Sequence, residues 1–321
     1  MTVTVAICTW NRAALLDQTL ARMRELRVPP GLAWELLVVN NNCTDNTDTV
    51  IAKHAESLPI RRLLETKQGL SHARNCALEH GTGELFIWTD DDVLVDPAWL
   101  AAYVEAASAN PGAGYFGGPV RPWFEAPPPA DIAQHLPAIR GAFALVDYGD
   151  ETRQLKPGEA PFGANMAYRA ELIRTFRFDP KLGRTGTNLI GDEETALLDS
   201  LNRAGKFGVW VGPARVEHFI PKDRATWAFV WKFYHGLGMT GTRRHGIPRC
   251  STLLGKPRWA VREYWAAKQG SWFRRQLGSA GWVARYTRAA YLAGIFAELE
   301  RYRTAGGVAM PGFLVPPGAG L

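Results

Sequence analysis

The sequence lacks the marks of a secreted, membrane-spanning or disulfide-stabilised protein. Its four cysteines are scattered without a CxxC pair or zinc-ligand spacing, which argues against a disulfide framework and for reduced thiols. No basic segment followed by an apolar run stands before the first strand-like residues, so we expect no secretory signal and a cytoplasmic protein. The best apolar window near the C-terminus, residues 289–297, is far shorter than the ~20 residues that span a bilayer.

Other absences narrow the range of functions. The chain has no GxxxxGK[ST] phosphate loop, so it does not look like a P-loop enzyme. No recognised nucleic-acid module accompanies its positive charge, and we expect no nucleic-acid partner. No internal repeat stands out. With 321 residues the chain can bury one large α/β core with an appendage.

Positive charge and tryptophan are concentrated in the C-terminal part of the chain. Residues 222–303 contain 16 Lys and Arg against 4 Asp and Glu, and they hold six of the 12 tryptophans. Basic residues interleaved with Trp suit a membrane interface or an anionic partner, although a helical subdomain with a basic surface explains them equally well. We predict a catalytic domain over residues 1–221 and a basic, Trp-rich helical region over 222–321. We also predict peripheral contact with the cytoplasmic membrane face through residues 222–303.

The first hundred residues alternate between strand and helix patterns, which predicts parallel βαβ units in a doubly wound sheet. The predicted strands cover residues 3–7, 35–39, 60–64 and 84–89, and the predicted helices cover 13–26, 47–57 and 69–80. Residues 119–161 contain much proline and few periodic signals, which predicts a long loop or an insertion near the site.

Polar side chains follow three of these strands at the point where each ends. They are Thr9, Asn11 and Arg12 after the first strand, Asn40 to Asn42 after the second, and Asp90 to Asp92 after the fourth. Each group alone is compatible with ordinary turn chemistry. Because ligands of parallel sheets bind at the carboxyl ends of the strands, three such groups together predict a binding site there.

The triplet Asp90, Asp91 and Asp92 interrupts an apolar stretch, which is an unfavourable place for three adjacent anions. They repel one another and lose solvation, and a divalent cation with oxygen ligands would compensate. The alternative is a solvated acidic turn or a helix cap. Asp96, just before Pro97, already suits the cap of the helix predicted over residues 98–107.

Seven segments in the same order resemble a family 2 glycosyltransferase of the GT-A fold. They are Cys8–Arg12, Val39–Thr47, Lys67–Asn75, Asp90–Asp92, Gly163–Met166, Gly191–Glu193 and Ala214–His218. The resemblance covers roughly residues 1–220. It implies a Rossmann-like, mixed and mainly parallel sheet flanked by helices, with a C-terminal, mainly helical extension.

The resemblance implies a UDP- or GDP-sugar donor bound across the strand ends. The matching positions are Thr9, Asn11, Arg12, Asn40, Lys67, Arg74, Asn75, Asp90, Asp91 and Asn165, with Asp91 at the ribose contact. Relatives commonly carry Asp where this chain has Asn40. The amide retains hydrogen-bonding capacity, so base recognition is expected and the identity of the base stays open.

The resemblance also implies a metal site and a catalytic base. Asp90 and Asp92 match the DxD pair, and Asp92 is expected to be the direct ligand of Mn²⁺ or Mg²⁺. His218 matches a position that completes the metal shell in some relatives, although a lone His at a strand end is often structural. Glu193 matches the base, with Asp192 in reserve. Carboxylates that open a helix also complement its dipole, so a purely structural role for this acidic cluster is the alternative.

The expected reaction is transfer of a sugar to a hydroxyl of a glycan or lipid-linked glycan, as in polysaccharide biosynthesis. The resemblance implies that a base takes the proton of the hydroxyl while the metal assists the leaving diphosphate. Such a single displacement inverts the anomeric centre. Two alternatives remain at this point: a metal-dependent nucleotidyltransferase, and a catalytically silent sugar-binding module. The acids at Asp92 and Glu193 speak against the second.

Overall fold

The computed structural model describes residues 1–180, 182–183, 193–276, 281–306 and 313–317. These residues form two compact units. The first contains Met1–Glu125, Glu193–Ile220 and the described residues between Phe143 and Gly183. The second contains Ala126–Ala142 and the described residues from Pro221 onward. The predicted boundary between a catalytic domain, residues 1–221, and a C-terminal region, residues 222–321, stays a prediction.

The described helices and strands follow one another from the N-terminus. In chain order they are β1 (Val3–Thr9), α1 (Ala13–Met23), β2 (Trp34–Asn40), α2 (Thr47–Ala55), β3 (Ile60–Leu64), α3 (Leu70–His80), β4 (Leu85–Asp90), β5 (Val93–Val95), α4 (Trp99–Ala109), β6 (Tyr115–Gly117), β7 (Val120–Phe124), α5 (Ala130–Ile139), a 3₁₀ turn (Arg140–Phe143), β8 (Thr152–Gln154), β9 (Asn165–Arg169), α6 (Ala170–Phe176), α7 (Glu193–Arg203), β10 (Gly208–Val211), β11 (Val216–Ile220), α8 (Trp227–His245), β12 (Ile247–Pro248), β13 (Thr252–Leu253), β14 (Lys256–Pro257), α9 (Arg258–Gln276), α10 (Trp282–Thr304) and β15 (Phe313–Val315).

The first unit is built on an eight-stranded sheet with the strand order β3-β2-β1-β4-β9-β6-β10-β8. Strands β3, β2, β1 and β4 are parallel, β9 is antiparallel to both of its neighbours, and β8 is antiparallel to β10. The register of β1 places Thr9 opposite Asn40 and Cys8 opposite Asp90. The predicted mixed, mainly parallel sheet flanked by helices is therefore confirmed, and three polar strand ends share one edge.

The sheet is buried on both faces. Val5 and Ile7 of β1 belong to a hydrophobic cluster that also contains Leu16 of α1. Ala6, between them, belongs to a second cluster with Ala77 of α3. Alternate residues of one strand thus pack under helices on opposite sides, which explains why the strands read as continuous apolar runs.

A smaller three-stranded sheet, in the order β5-β11-β7, adjoins the site residues. Strand β11 pairs antiparallel with β5, which follows the Asp triplet, and parallel with β7. In this register His218 lies opposite both Val93 and Pro122. The pairing brings a histidine from more than a hundred residues away to the neighbourhood of Asp92.

Two local predictions need correction. The proline-rich segment 119–161 is not a long loop, because it contains β7, α5, the 3₁₀ turn and β8. The short lengths of these elements hide their periodicity in the sequence. Helix α1 ends at Met23, and the next residues close i→i−3 turns from Glu25 to Arg22 and from Leu26 to Met23.

The second unit is mainly helical, as predicted for the C-terminal extension. Helix α10 packs against both α8 and α9, and its Leu292 and Leu299 share a hydrophobic cluster with Ala260 of α9. Close backbone contact joins α8 and α10, because a Cβ at Gly238 would lie 1.9 Å from the carbonyl oxygen of Tyr291. Within the described part of the chain, no helix is both long and apolar enough to cross a bilayer.

Candidate active site at the carboxyl ends of β1 and β4

A cavity of about 140 Å³ lies at the carboxyl ends of β1 and β4. Its lining consists of Cys8, Thr9, Trp10, Arg12, Asn41, Gln68, Leu70, Ala73, Asp90 and Asp91. Four of the predicted donor-binding residues, Thr9, Arg12, Asp90 and Asp91, therefore meet in one place. The cavity is lined by carboxylate, guanidinium, amide and indole groups, a set suited to a polar, aromatic and anionic ligand.

Asp91 is buried and tightly held. Its Oδ2 accepts a hydrogen bond from the Thr9 hydroxyl at 2.7 Å, and its Oδ1 accepts one from Arg12 at 3.0 Å. Its backbone carbonyl accepts a bond from the Thr19 hydroxyl. Burial, reinforced by the neighbouring charges of Asp92 and Asp90, raises the pKa of Asp91 to about 6 despite the opposing effect of Arg12.

Arg12 links two members of the triplet. One guanidinium nitrogen, Nη1, lies 3.0 Å from Asp91 Oδ1 and 2.7 Å from Asp92 Oδ2. The charge of Asp91, and then that of Asp92, raise the pKa of Arg12, against the lowering effect of burial. Arg12 therefore compensates the charges of Asp91 and Asp92, which reduces the repulsion expected between the three adjacent carboxylates.

Asp92, which lies between β4 and β5, faces His218 of β11. Asp92 is almost fully buried, and its Oδ1 lies 3.5 Å from His218 Nε2. The other ring nitrogen, Nδ1, is 3.0 Å from the carbonyl oxygen of Phe143, to which it can only donate. With Nδ1 held by this carbonyl, Nε2 is the ring nitrogen that faces Asp92, which is the arrangement of a metal-ligating histidine with a fixed outer partner.

The donor set fits a divalent cation that is completed by other ligands. A carboxylate oxygen and an imidazole nitrogen 3.5 Å apart are suitable ligands for one ion. Among the residues that the structure describes, no group of three or more His, Cys, Asp or Glu side chains is placed to hold a metal. The protein thus supplies two facing donors, and diphosphate and water oxygens suit the remaining positions of such an ion.

Asn41 organises the opposite wall of the cavity. Its side-chain nitrogen donates to the carbonyls of Glu65 and Lys67, and its oxygen accepts from the backbone nitrogen of Gly69 at 2.9 Å. Gly69 immediately precedes α3 and has a φ of 140°, a conformation that L side chains rarely adopt. The sequence placed Asn41 in a polar group at the predicted binding site, and these long-range bonds show how its side chain holds the cavity wall.

The neighbouring residues Asn11 and Asn40 shape turns. Asn11 adopts a φ of 51°, and its side-chain oxygen accepts from the backbone nitrogen of Thr44 at 2.7 Å. Asn40 donates to Asp48 and accepts from the backbone nitrogen of Cys43, both at 2.7 Å. The bond between Asn11 and Thr44 ties the loop after β1 to the loop after β2, and the bonds of Asn40 hold this second loop to the first turn of α2. Direct contact of either side chain with a nucleotide stays a prediction.

Two other predicted donor-binding residues lie outside the cavity lining. The Lys67 side chain is exposed, and its carbonyl is held by Asn41. Asn75 exchanges two hydrogen bonds with the backbone of Phe178, as donor to its carbonyl and acceptor from its nitrogen. Asn75 therefore fixes the segment after α6, and its contact with the donor stays a prediction.

Arg74 joins the cavity wall to the predicted base. It is 2% exposed, and its Nη1 lies 2.8 Å from Glu193 Oε1 and 2.9 Å from Glu194 Oε1. Burial alone would lower its pKa, but the charges of Glu194, Glu193 and Asp90 raise it. Arg74 is therefore the ion-pair partner of the predicted base, and its predicted contact with the donor stays a prediction.

Glu194 also contacts Arg74, although the sequence did not single it out as a site residue. Its side chain is 21% exposed, against 2% for Glu193, and both share Arg74. Gly163 makes room for this contact, because a Cβ there would lie 2.0 Å from Glu194 Oε1. The sequence GDEE at residues 191–194 indicated an acidic site here, but it did not show which carboxylates contact Arg74. Asp192 lies outside the described residues.

The hydrogen bonds of Asn165 give it a role other than the predicted contact with the donor. Its amide oxygen accepts bonds from Trp99 Nε1 at 2.8 Å and from the Tyr103 hydroxyl at 2.7 Å. Its nitrogen donates to the carbonyls of Pro119 and Ala214 at 3.0 and 2.7 Å. Both lone pairs and both N–H groups are used, so the buried side chain has no capacity left for a nucleotide sugar. Asn165 joins β9 to α4 and to two loops.

The comparison with known proteins decides the family. Residues 4–162 match the model of the family described as "Glycosyl transferase family 2". This chain belongs to that family. A family 2 glycosyltransferase is an enzyme that moves a sugar, so the family supports sugar transfer over nucleotidyl transfer.

Similar proteins support this membership. The succinoglycan biosynthesis protein ExoM of Rhizobium meliloti is 24% identical over 269 residues, 82% of this chain and 78% of that protein. The glucosyl-dolichyl phosphate glucuronosyltransferase of Haloferax volcanii is 22% identical over 250 residues, 74% of this glycosyltransferase and 75% of the relative.

The fold of the glycosyltransferase also has solved counterparts. The mannosyltransferase PcManGT of Pyrobaculum calidifontis, whose structure contains GDP-Man and Mn²⁺, superposes with a TM-score of 0.54 and 20% identity. The match covers 97% of this chain and 76% of that one. The predicted GT-A fold is thereby confirmed.

Proposed function

We propose that this glycosyltransferase moves a sugar from a UDP- or GDP-sugar to a hydroxyl of a glycan or lipid-linked glycan, with inversion at the anomeric carbon. The observation that carries the proposal is the cavity that joins the ends of β1 and β4, with Asp91, Arg12 and the facing pair Asp92 and His218. The family and the donor in the similar mannosyltransferase structure support a nucleoside-diphosphate sugar.

In this proposal the cavity binds the nucleoside part of the donor. Asp91, already held by Thr9 and Arg12, offers carboxylate oxygens to the ribose hydroxyls. The indole of Trp10, 38% exposed at the cavity, offers a face for stacking of the base. Asn41 holds the wall that carries Gln68, which can donate to or accept from the base edge.

Asp92 and His218 would hold Mn²⁺ or Mg²⁺, with Asp90 on the cavity side of the same strand end. Such an ion, when bound, supplies charge neutralisation to a departing diphosphate. The protein contributes the orientation of the donors. Arg12 holds Asp92 Oδ2, and the Phe143 carbonyl holds the imidazole ring. These fixed contacts limit rearrangement when a ligand enters.

Glu193 would act as the base that takes the proton from the attacking hydroxyl. Its carboxylate is positioned by Arg74, and the charge of Asp90 acts on the same arginine, so the base and the triplet belong to one electrostatic network. Direct attack of the deprotonating hydroxyl on the anomeric carbon, with departure of the diphosphate from the opposite side, inverts the configuration. Arg74 acts as a positioning residue here.

The acceptor proposal rests on the curated relatives. One is a protein of succinoglycan biosynthesis, and the other is a transferase named for a glucosyl-dolichyl phosphate substrate. A lipid-linked acceptor would bring the enzyme to a membrane surface. We therefore retain peripheral contact through residues 222–303 as a proposal, together with the prediction of the cytoplasmic face.

A donor screen tests the proposal. Thermal unfolding of the purified protein is followed with UDP- and GDP-sugars, each with and without Mn²⁺, and hydrolysis of each donor is measured in parallel. We expect one nucleotide class to raise the unfolding temperature, more strongly with Mn²⁺ than without it. Absence of stabilisation and of hydrolysis with every donor would contradict the proposal.

A further inference from the structure

Helix α9 carries large aromatic side chains on the surface. Trp265, Trp272 and Phe273 are 51%, 66% and 60% exposed. Residues 265, 272 and 273 are spaced by seven and eight, which places them on one side of a helix. They line an apolar groove of about 620 Å³ together with Lys268, Gln269 and Gly270. Clustered exposure of this kind marks a surface that meets another apolar phase or partner.

The opposite side of α9 is a well-packed helix surface. Ala260, Ala267 and Ser271 are buried, and Ala260 shares a hydrophobic cluster with Leu292 and Leu299 of α10. These three residues lie about opposite to the exposed aromatics on a helical wheel. The helix is thus held to the second unit by small residues, and its large aromatic residues point away from that contact.

Basic residues frame the exposed aromatic side chains. Arg258, Arg262 and Lys268 of α9 are exposed, and the Lys268 ammonium lies 5.4 Å from the centre of the Trp265 ring. Among the described residues of α9 the single acidic side chain is Glu263, which forms a bidentate ion pair with Arg288. We name Arg258, Arg262, Trp265, Lys268, Trp272 and Phe273 the outward face of α9.

The chemistry of the outward face selects its occupant. Trp favours the polar–apolar boundary of a bilayer, and Lys and Arg beside it favour anionic headgroups. A helix with one basic aromatic face and one packed face lies in the plane of the interface rather than across it. A protein partner of ordinary composition would leave this dense positive charge without compensation.

We propose that the outward face of α9 binds the surface of an anionic lipid bilayer, with Trp265, Trp272 and Phe273 entering the headgroup boundary. This inference deepens the membrane contact proposed above and assigns it to one helix face. It is tested without donor or acceptor, so its failure leaves the transferase proposal intact, and failure of the donor screen leaves this inference intact.

The test is cosedimentation of the full chain with vesicles of phosphatidylcholine alone or mixed with phosphatidylglycerol. We expect binding to the anionic vesicles that weakens with salt, and at least about tenfold weaker partitioning of the double variant Trp272→Ser/Phe273→Ser. The matched control is Phe176→Ser, an exposed aromatic residue of the first unit. The contribution of the positive charges is tested by comparing the vesicle binding of Arg262→Gln/Lys268→Gln with that of the control Arg24→Gln/Arg27→Gln.

Three outcomes would overturn the proposal. They are absence of binding to anionic vesicles, equal binding of both aromatic variants, and a change of oligomeric state in Trp272→Ser/Phe273→Ser without loss of vesicle binding. The last outcome, measured by light scattering, would make the outward face an interface between copies. Circular dichroism and thermal unfolding of each variant show that the fold is intact before partitioning is compared.

Discussion

Arg74 and Glu193 form a buried ion pair in which Nη1 and Oε1 are 2.8 Å apart and both side chains are 2% exposed. The two residues are 119 positions apart in the sequence, on α3 and at the start of α7. A buried charge of this kind is costly without its partner. The pair therefore fixes the position of Glu193 relative to the strand ends that carry Asp90 to Asp92.

Replacement of Arg74 by Met should destabilise the protein strongly. It removes the guanidinium that compensates both Glu193 and Glu194, and breaking a buried pair from one side typically costs about 3–5 kcal/mol. The free energy of unfolding in urea measures the effect. Arg62→Gln is the control, since Arg62 pairs with Asp48 on the surface and an exposed pair contributes about 0–1 kcal/mol. Equal losses in both variants would contradict the account of Arg74.

Replacement of Asn165 by Ala should reduce stability without abolishing nucleotide binding by the folded protein. Four hydrogen bonds end on this side chain, and leaving buried partners unsatisfied costs about 1–3 kcal/mol for each group. We expect a loss of about 3 kcal/mol or more in the free energy of unfolding. Dissociation constants for UDP and GDP should stay within about threefold of the native values. Loss of nucleotide affinity in a folded Asn165→Ala variant would restore the predicted contact role.

Replacement of Asp92 or His218 by Ala should weaken Mn²⁺ binding. The Asp92 Oδ1 and His218 Nε2 atoms face each other at 3.5 Å, and loss of even an outer-shell partner typically costs about 10–100-fold in metal affinity. We expect at least about tenfold weaker Mn²⁺ binding, followed by electron paramagnetic resonance with and without UDP. His80→Ala, an exposed histidine outside the site, is the matched control. Unchanged Mn²⁺ affinity in both site variants, or full activity of Asp92→Ala in EDTA, would contradict the metal role.

Glu298 should make the stability of the second unit dependent on acid pH. Its hydrogen bonds to Arg301 and Arg243 lower its pKa, despite the opposing effect of burial. A lowered pKa in the folded state stabilises above the unfolded value of about 4.3, and this contribution is lost as pH falls through the folded pKa. The free energy of unfolding should therefore fall as the pH drops below about 4, where Glu298→Gln removes this part of the slope.

The matched control for that pH series is Glu300→Gln, which removes an exposed carboxylate from the same helix. It should keep the slope of the native protein. A Glu298→Gln variant with an unchanged slope would show that Arg243 and Arg301 do not hold the carboxylate in its charged form.

Periodicity and order of motifs predicted much of the fold and part of the site. The strand ends at Thr9, Asn40 and Asp90 could be placed on one edge, because parallel strands that alternate with helices leave their carboxyl ends together. The roles of Arg74 and Asn165 could not be predicted. Each depends on partners far along the chain, and a side chain that is already fully hydrogen-bonded looks the same in sequence as one that awaits a ligand.

The segment 119–161 shows a second limit. Strands of three to five residues are too short for a periodic signal, and Pro122 and Pro137 lie inside β7 and α5. Pro137 stands in the second half of α5, where proline removes a backbone hydrogen bond of the helix, and Pro122 lies in β7, an edge strand, which tolerates a missing N–H. Such positions are recognised only when the neighbouring strand is known.

The central claim is that Glu193 is the catalytic base of an inverting glycosyltransferase, and it is tested most directly by comparing Glu193→Gln with Glu194→Gln. Steady-state turnover with the donor found in the screen and a dissociation constant for that donor are measured for both. We predict that Glu193→Gln lowers turnover by about 10²–10⁴-fold with donor affinity retained, while Glu194→Gln loses less than about tenfold. Near-native turnover of Glu193→Gln, or the larger loss in Glu194→Gln, would contradict the account.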